Sequence, residues 1–168
     1  MDATITCPGC GAQVPDLPET RTRAEYVGSA PGCWQLYTEL LAREYSDIRY
    51  APAHQLTVDT YMVQHPGAPQ RRSAQSVAVH LVGLCLLLER GRTALELPRL
   101  RKGFVELHPQ FPWLEPPPNV GQHTVLEILG ATSADEHRSL VDRWAASTWQ
   151  AWSVHHEQVR AWADEVSG

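Results

Sequence analysis

The sequence predicts an all-α fold: a helical bundle of about four main helices with a Pro-rich covering segment and an N-terminal zinc knuckle. Three observations carry this. Apolar residues recur at spacings of three and four in the first and last helical runs. Prolines and glycines cluster between the helix-like runs rather than inside them. A Cys-x-x-Cys motif stands ahead of the first run, at Cys7-Pro8-Gly9-Cys10-Gly11. With 168 residues the chain is long enough to bury one core without a staple, so a single domain over 1–168 is expected. Within it, 1–30 is a Cys-x-x-Cys knuckle and arm, 33–90 a three-helix core, 91–132 a Pro-rich cover and 133–166 a Trp-rich C-terminal helix.

Ser29-Ala30-Pro31-Gly32 punctuates the chain before a first helix over Cys33–Tyr45, whose apolar stripe is Trp34, Tyr37, Leu40, Leu41 and Tyr45. A second helix is predicted over Ala53–His65, stopped by His65-Pro66-Gly67. The third runs from Ser73 to Arg90, with Gly91 as its stop. This second-and-third hairpin holds the most apolar stretch and is expected to be the core on which the rest packs. Leu97-Pro98, His108-Pro109, Phe111-Pro112 and Pro116-Pro117-Pro118 exclude long helices from 91–132, leaving a short one over Thr124–Leu129. The last helix opens on a capping box, Ser133 to Glu136, and runs to Val166. Val141, Ala145, Thr148, Trp152, His155, Val159 and Trp162 form its seam. Trp144, Trp149, Trp152 and Trp162 imply a wide buried face, or an exposed patch that a partner or second copy covers.

A formal net charge of −5, with basic residues grouped only at Arg71-Arg72 and Arg99–Lys102, disfavours a nucleic-acid partner. No apolar run approaches the roughly 18 residues of a membrane span, and the N-terminus shows no export-signal pattern. Four cysteines in such a chain read as thiols or metal ligands, and the expected compartment is a bacterial-type cytoplasm.

The turn at Pro8-Gly9 aims two sulfurs at one point, which suits zinc. A thioredoxin-like redox pair and an unmetallated exposed pair are the alternatives. No second Cys-x-x-Cys follows, so the remaining ligands must come from the body of the protein. Antiparallel first and second helices set Cys33 beside His65. Cys7, Cys10, Cys33 and His65 thereby become a candidate closed Cys3His site for structural zinc. His65 capping its helix end is the alternative, and so is Cys33 acting as a nucleophile at a helix N-terminus. Cys85, in an apolar helix, reads as a small buried hydrophobe.

Asp59 lies about 9 Å before the end of the second helix and His80 a comparable distance into the third, so the two stand at similar heights. With His155 from the last helix they form a candidate catalytic set, able to hold a second divalent metal and activate water. A hydrogen-bonded Asp59–His80 pair that fixes helix register is the preferred reading of these residues. His54 is placed near Tyr45 or Tyr50, His156 at the surface, and His108, His123 and His137 carry no assigned role. Phosphate loops, nucleophile elbows and the His-Glu-x-x-His pattern are absent.

Beyond the knuckle, Ser29-Ala30-Pro31-Gly32-Cys33-Trp34, His54-Gln55-Leu56-Thr57-Val58-Asp59, Gln64-His65-Pro66-Gly67 and Gln75-Ser76-Val77-Ala78-Val79-His80-Leu81 complete a pattern. So do Pro112-Trp113-Leu114 and Trp149-Gln150-Ala151-Trp152 through His155-His156. Together these resemble a bacterial family catalogued as a domain of unknown function. The resemblance implies a bacterial, cytoplasmic protein and brings no activity with it. A looser, fold-level analogy is to DinB-like metal-dependent helical bundles, whose late-helix His-x-x-x-His pair this chain lacks. The leading expectation is therefore a zinc-binding helical protein with a structural knuckle site. A metal-dependent hydrolase or transferase acting on a small molecule is the second. An interaction module presenting the Trp-rich helix, as a homodimer or to another protein, is the third.

Overall fold

The computed structural model describes residues 3–19 and 22–168. Two short strands, β1 (Thr4–Thr6) and β2 (Gln13–Pro15), pair antiparallel with Ile5 opposite Val14. Seven α-helices follow among the described residues. They are α1 (Pro31–Ser46), α2 (His54–Gln64), α3 (Arg71–Leu88), α4 (Leu97–Leu107), α5 (Val125–Leu129), α6 (Ala134–Ala151) and α7 (His156–Ser167). The helical class is as expected, but the helices outnumber the four predicted.

The α2–α3 hairpin is the centre. α2 packs on α3 and α6, while α3 packs on α7, α4 and α6. Leu81, Val82, Leu84 and Leu86 of α3 are fully buried, each contributing about 1.5–3 kcal/mol of apolar transfer. α1 lies against α5 and also meets β2 and α2. Val14, fully buried, anchors the β-hairpin to this body.

Three elements depart from expectation. Residues 91–132 contain a full helix, α4, because Pro98 stands in its first turn, where the missing N–H costs nothing. Its Leu97, Leu100 and Phe104 face the core. The last helix is broken: α6 ends at Ala151 and a 3-10 turn over Ser153–His155 resets the phase before α7. At its start, Ser133 Oγ accepts from the Glu136 amide as predicted. Glu136 itself reaches past Ser133 to the Thr132 amide and hydroxyl, at 2.7 and 2.8 Å.

The tryptophans settle inward. Trp144 and Trp152 are fully buried and Trp149 and Trp162 nearly so, which corrects the picture of a Trp-rich helix presented to a partner. Their indole area is spent on the core instead. Tyr45, assigned to the α1 stripe, is 75 % exposed, and the same helix buries Glu44 in its place. No helix among the described residues is long and apolar enough to cross a membrane.

Candidate metal centre

Three segments converge on one point at the turn end of the α2–α3 hairpin. The first is the knuckle turn after β1. The Cys7 amide donates to Ala12 O and the Gly11 amide to Cys7 O, a tight loop that carries Gly11 at φ 75°, open to glycine without strain. The second is the first turn of α1, which holds Cys33 after Pro31. The third is the end of α2, where the chain leaves the helix at His65. The antiparallel relation of α1 and α2 brings the last two together, as the sequence implied.

The Sγ atoms of Cys7, Cys10 and Cys33 and a ring nitrogen of His65 all lie within 4.8 Å of one another. Cys10 Sγ and Cys33 Sγ are 3.9 Å apart, and Cys33 Sγ and His65 Nε2 are 3.4 Å apart. A tetrahedral ion with metal–sulfur bonds of about 2.3 Å sets its sulfurs about 3.8 Å apart, with sulfur–nitrogen edges slightly shorter. The Cys10–Cys33 and Cys33–His65 edges have those lengths. Cys7, Cys33 and His65 are buried and only Cys10 is partly exposed, so water reaches one side.

Groups around the cluster orient it. His65 Nδ1 lies 2.7 Å from the Tyr61 carbonyl, which can only accept, so Nδ1 carries a proton and Nε2 is the ring atom turned toward the sulfurs. His65 thus closes the last turn of α2 and faces the cluster at once. The two roles the sequence left as alternatives are one arrangement. The Ala30 amide points at Cys7 Sγ at 3.4 Å and the Tyr61 hydroxyl at Cys33 Sγ at 3.6 Å. Tyr61 is stacked on Tyr37 and tilted against His65, which fixes both rings. Gly9 permits the approach: a Cβ there would collide with the His65 ring and stand 2.8 Å from Gly28 O and 2.9 Å from Gln64 O.

Charge within the cluster is frustrated. Hydrogen bonds from Cys10 and Cys33 push the Cys7 thiol far down, against burial and with help from His65. Hydrogen bonds with Cys10 and Cys7, together with burial, push Cys33 far up. One thiolate is favoured and a second repelled. Burial pulls His65 down, but hydrogen bonds to Cys10 and Cys7 outweigh it and leave it at about 9. A divalent cation relieves this conflict, because it pairs with every thiolate at once and takes the imidazole as a neutral ligand. The arrangement is compatible with metal binding.

The mid-bundle set is only partly assembled. Asp59, fully buried, accepts from His80 Nδ1 at 2.7 Å, as the matching heights required. His155 does not join them. It sits in the 3-10 turn that breaks the last helix, where its Nε2 donates to Glu115 O at 2.8 Å. The place expected for it is taken by Arg101 of α4, whose guanidinium donates to Asp59 Oδ1 and, with the Gln55 amide turned oxygen-inward, to that oxygen at 2.9 Å. Arg101 thus gives the carboxylate oxygen shared with His80 a fixed cationic partner. Gly83 makes the room, since a Cβ would stand 2.5 Å from Asp59 Oδ2.

Sequence reasoning missed a second buried carboxylate. Glu44 accepts from the Thr57 hydroxyl at 2.5 Å, His137 Nε2 at 2.9 Å and His54 Nδ1 at 2.9 Å. His54 Nε2 meets the Tyr45 hydroxyl, one of the two neighbours expected of it. The available signal was phase, because Tyr37, Leu40 and Glu44 share one helix face. His156, expected at the surface, is stacked on Trp149 and donates to its carbonyl. Cys85 is fully buried, as expected.

No curated protein and no solved structure matches the chain. The model of one family, DUF5946, a family of unknown function, matches residues 5–153, and the chain belongs to that family.

Proposed function

We propose that the protein holds one structural zinc ion on Cys7, Cys10, Cys33 and His65, and that this ion fastens the N-terminal arm to the α1 and α2 ends. The observation that carries the reading is the convergence of three sulfurs and one correctly turned imidazole nitrogen within 4.8 Å. Soft thiolates with one imidazole favour zinc over calcium or magnesium, which take oxygen ligands. Four protein ligands leave no position open for substrate, which makes the ion structural rather than catalytic. Four free cysteines support a reducing, cytoplasmic setting in a bacterial cell.

The metal also arranges what lies around it. The Gly28 amide donates to His65 O, and Val27 pairs with Pro66, so the strand of chain ahead of α1 is laid along the α2–α3 turn. Elemental analysis of the purified protein tests the proposal. One zinc per chain in the wild type, lost in Cys7→Ser and retained in His80→Ala, is the expected result. Metal-free wild-type protein that is fully folded would overturn it.

A further inference from the structure

A cavity of about 350 Å³ opens between the loop at Tyr26 and the outer face of α3, lined by Tyr26, Arg72, Gln75, Ser76, Val79 and His80. Its size suits a small molecule. Its chemistry is one-sided. The lining offers a phenol, a guanidinium, an amide, a hydroxyl and an imidazole, and no carboxylate. The side chains of Tyr26, Arg72, Gln75 and Ser76 make no hydrogen bond among the described residues. Gln75, Ser76, Val79 and His80 are half-buried positions of α3 that form a stripe at helical spacing along the cavity.

His80 is the end of this stripe and the link to the interior. Asp59 can only accept at the 2.7 Å contact with Nδ1, so Nδ1 carries the proton and Nε2 keeps its lone pair. Nε2 has no protein partner among the described residues, although the His80 side chain is only 15 % exposed. A histidine kept solely for helix register has no need of a free nitrogen at a cavity. His65 and His156 show what a fully engaged ring looks like here: the first spends both nitrogens, and the second faces a carbonyl and Arg160.

The start of α3 breaks a local rule at the same place. Arg71 and Arg72 occupy its first turn with no acidic residue to offset them, where the helix dipole disfavours cations. Local rules are broken most often where a ligand repays the cost. An anion in the cavity would pair with Arg72.

We infer that this cavity takes a small molecule bearing an oxyanion, carboxylate or phosphate, with Arg72 as its charge partner and His80 Nε2 as the base for its hydroxyl or for a water beside it. The proton passes from that oxygen to Nε2, and the imidazolium formed is held by the Asp59 carboxylate on its other nitrogen, with Arg101 fixing the carboxylate. The site is separate from the sulfur cluster. It shares a wall with it, because the segment carrying Tyr26 runs directly into the Val27–Pro66 pairing beside His65.

The test is an NMR titration of the intact, 15N-labelled protein with inorganic phosphate and, separately, acetate, against sodium chloride at matched ionic strength. Saturable shifts at the Arg72, Gln75 and Ser76 amides are expected with at least one anion, weakened at least tenfold in Arg72→Ala and unchanged in Lys102→Ala. Which anion saturates assigns the group. No saturable shift with either, or equal binding by Arg72→Ala, overturns the site. The ring nitrogens test the base separately. A Nδ1–H tautomer whose Nε2 resonance moves on saturation is expected, and a Nε2–H tautomer or an unmoved resonance overturns that role.

Discussion

The proposed zinc site predicts that chelation lowers the melting temperature of the wild-type protein by an amount set by the free zinc concentration. The ligands come from three separated segments, so the unfolded chain does not gather them and the ion binds the native state alone. At free zinc held about 1,000-fold above the dissociation constant, such linkage contributes about 4 kcal/mol. For a chain of this length each kcal/mol moves the midpoint by about 2–4 °C, so chelation costs roughly 8–16 °C. Cys33 is fully buried at the first turn of α1, so Cys33→Ser removes one ligand sulfur and meets the α2–α3–α6–α7 core only at the Tyr61 hydroxyl. It should start near the midpoint of the stripped wild type and no longer respond to chelator. Differential scanning calorimetry with and without chelator, at fixed free zinc, reads both. A wild-type midpoint that chelation leaves in place, or an equal drop in Cys33→Ser, would refute the linkage argument.

Other consequences are as direct. Glu44→Gln leaves buried donors on Thr57, His54 and His137 without a full set of acceptors and should cost about 3–5 kcal/mol in urea unfolding; a loss below about 1 kcal/mol would show the network to be dispensable. Gly83→Ala drives a methyl against Asp59 and Arg101 and should destabilise by about 1–3 kcal/mol, with His80 losing its Nδ1 partner by NMR. Hydrogen bonds from Arg160, opposed by burial and joined by Trp149, hold the Glu89 carboxyl at about 2, below its ordinary 4.5. Its contribution is therefore complete above pH 4.5 and lost as pH falls through about 2, and Glu89→Gln should flatten that acid limb, more so at low salt. Matching limbs in wild type and variant would contradict this. A thiol reagent should find no fast-reacting cysteine in the zinc-loaded protein and the partly exposed Cys10 after chelation, since burial shields Cys33 and Cys85 and raises Cys85 to about 11. Four fast thiols would place Cys85 elsewhere.

The parts legible from sequence were those set by short spacings and by simple hairpin arithmetic. Cys-x-x-Cys placed two sulfurs together, and the short connection between antiparallel α1 and α2 set Cys33 beside His65. The same arithmetic paired Asp59 with His80. What escaped depends on packing between elements far apart in the chain. Pro98 reads as a breaker, yet at the first turn it starts α4, and with α4 hidden Arg101 had no position from which to reach Asp59. The break after Ala151 carries no glycine or proline, so the sequence reads the seam straight through the 3-10 turn and gives His155 the wrong phase. Glu44 shows the opposite case. Its phase with Tyr37 and Leu40 was visible, but a carboxylate on an apolar stripe is convincing only once His137, distant in sequence, supplies a partner.

The most direct measurement of the central claim is X-ray absorption at the zinc edge of the purified protein. The account predicts three sulfur neighbours at about 2.3 Å and one nitrogen at about 2.0 Å. Replacing His65 by Ala should exchange only the nitrogen shell, and replacing Cys7 by Ser should abolish the site. A shell dominated by oxygen and nitrogen, or one that survives loss of Cys7 unchanged, would contradict it.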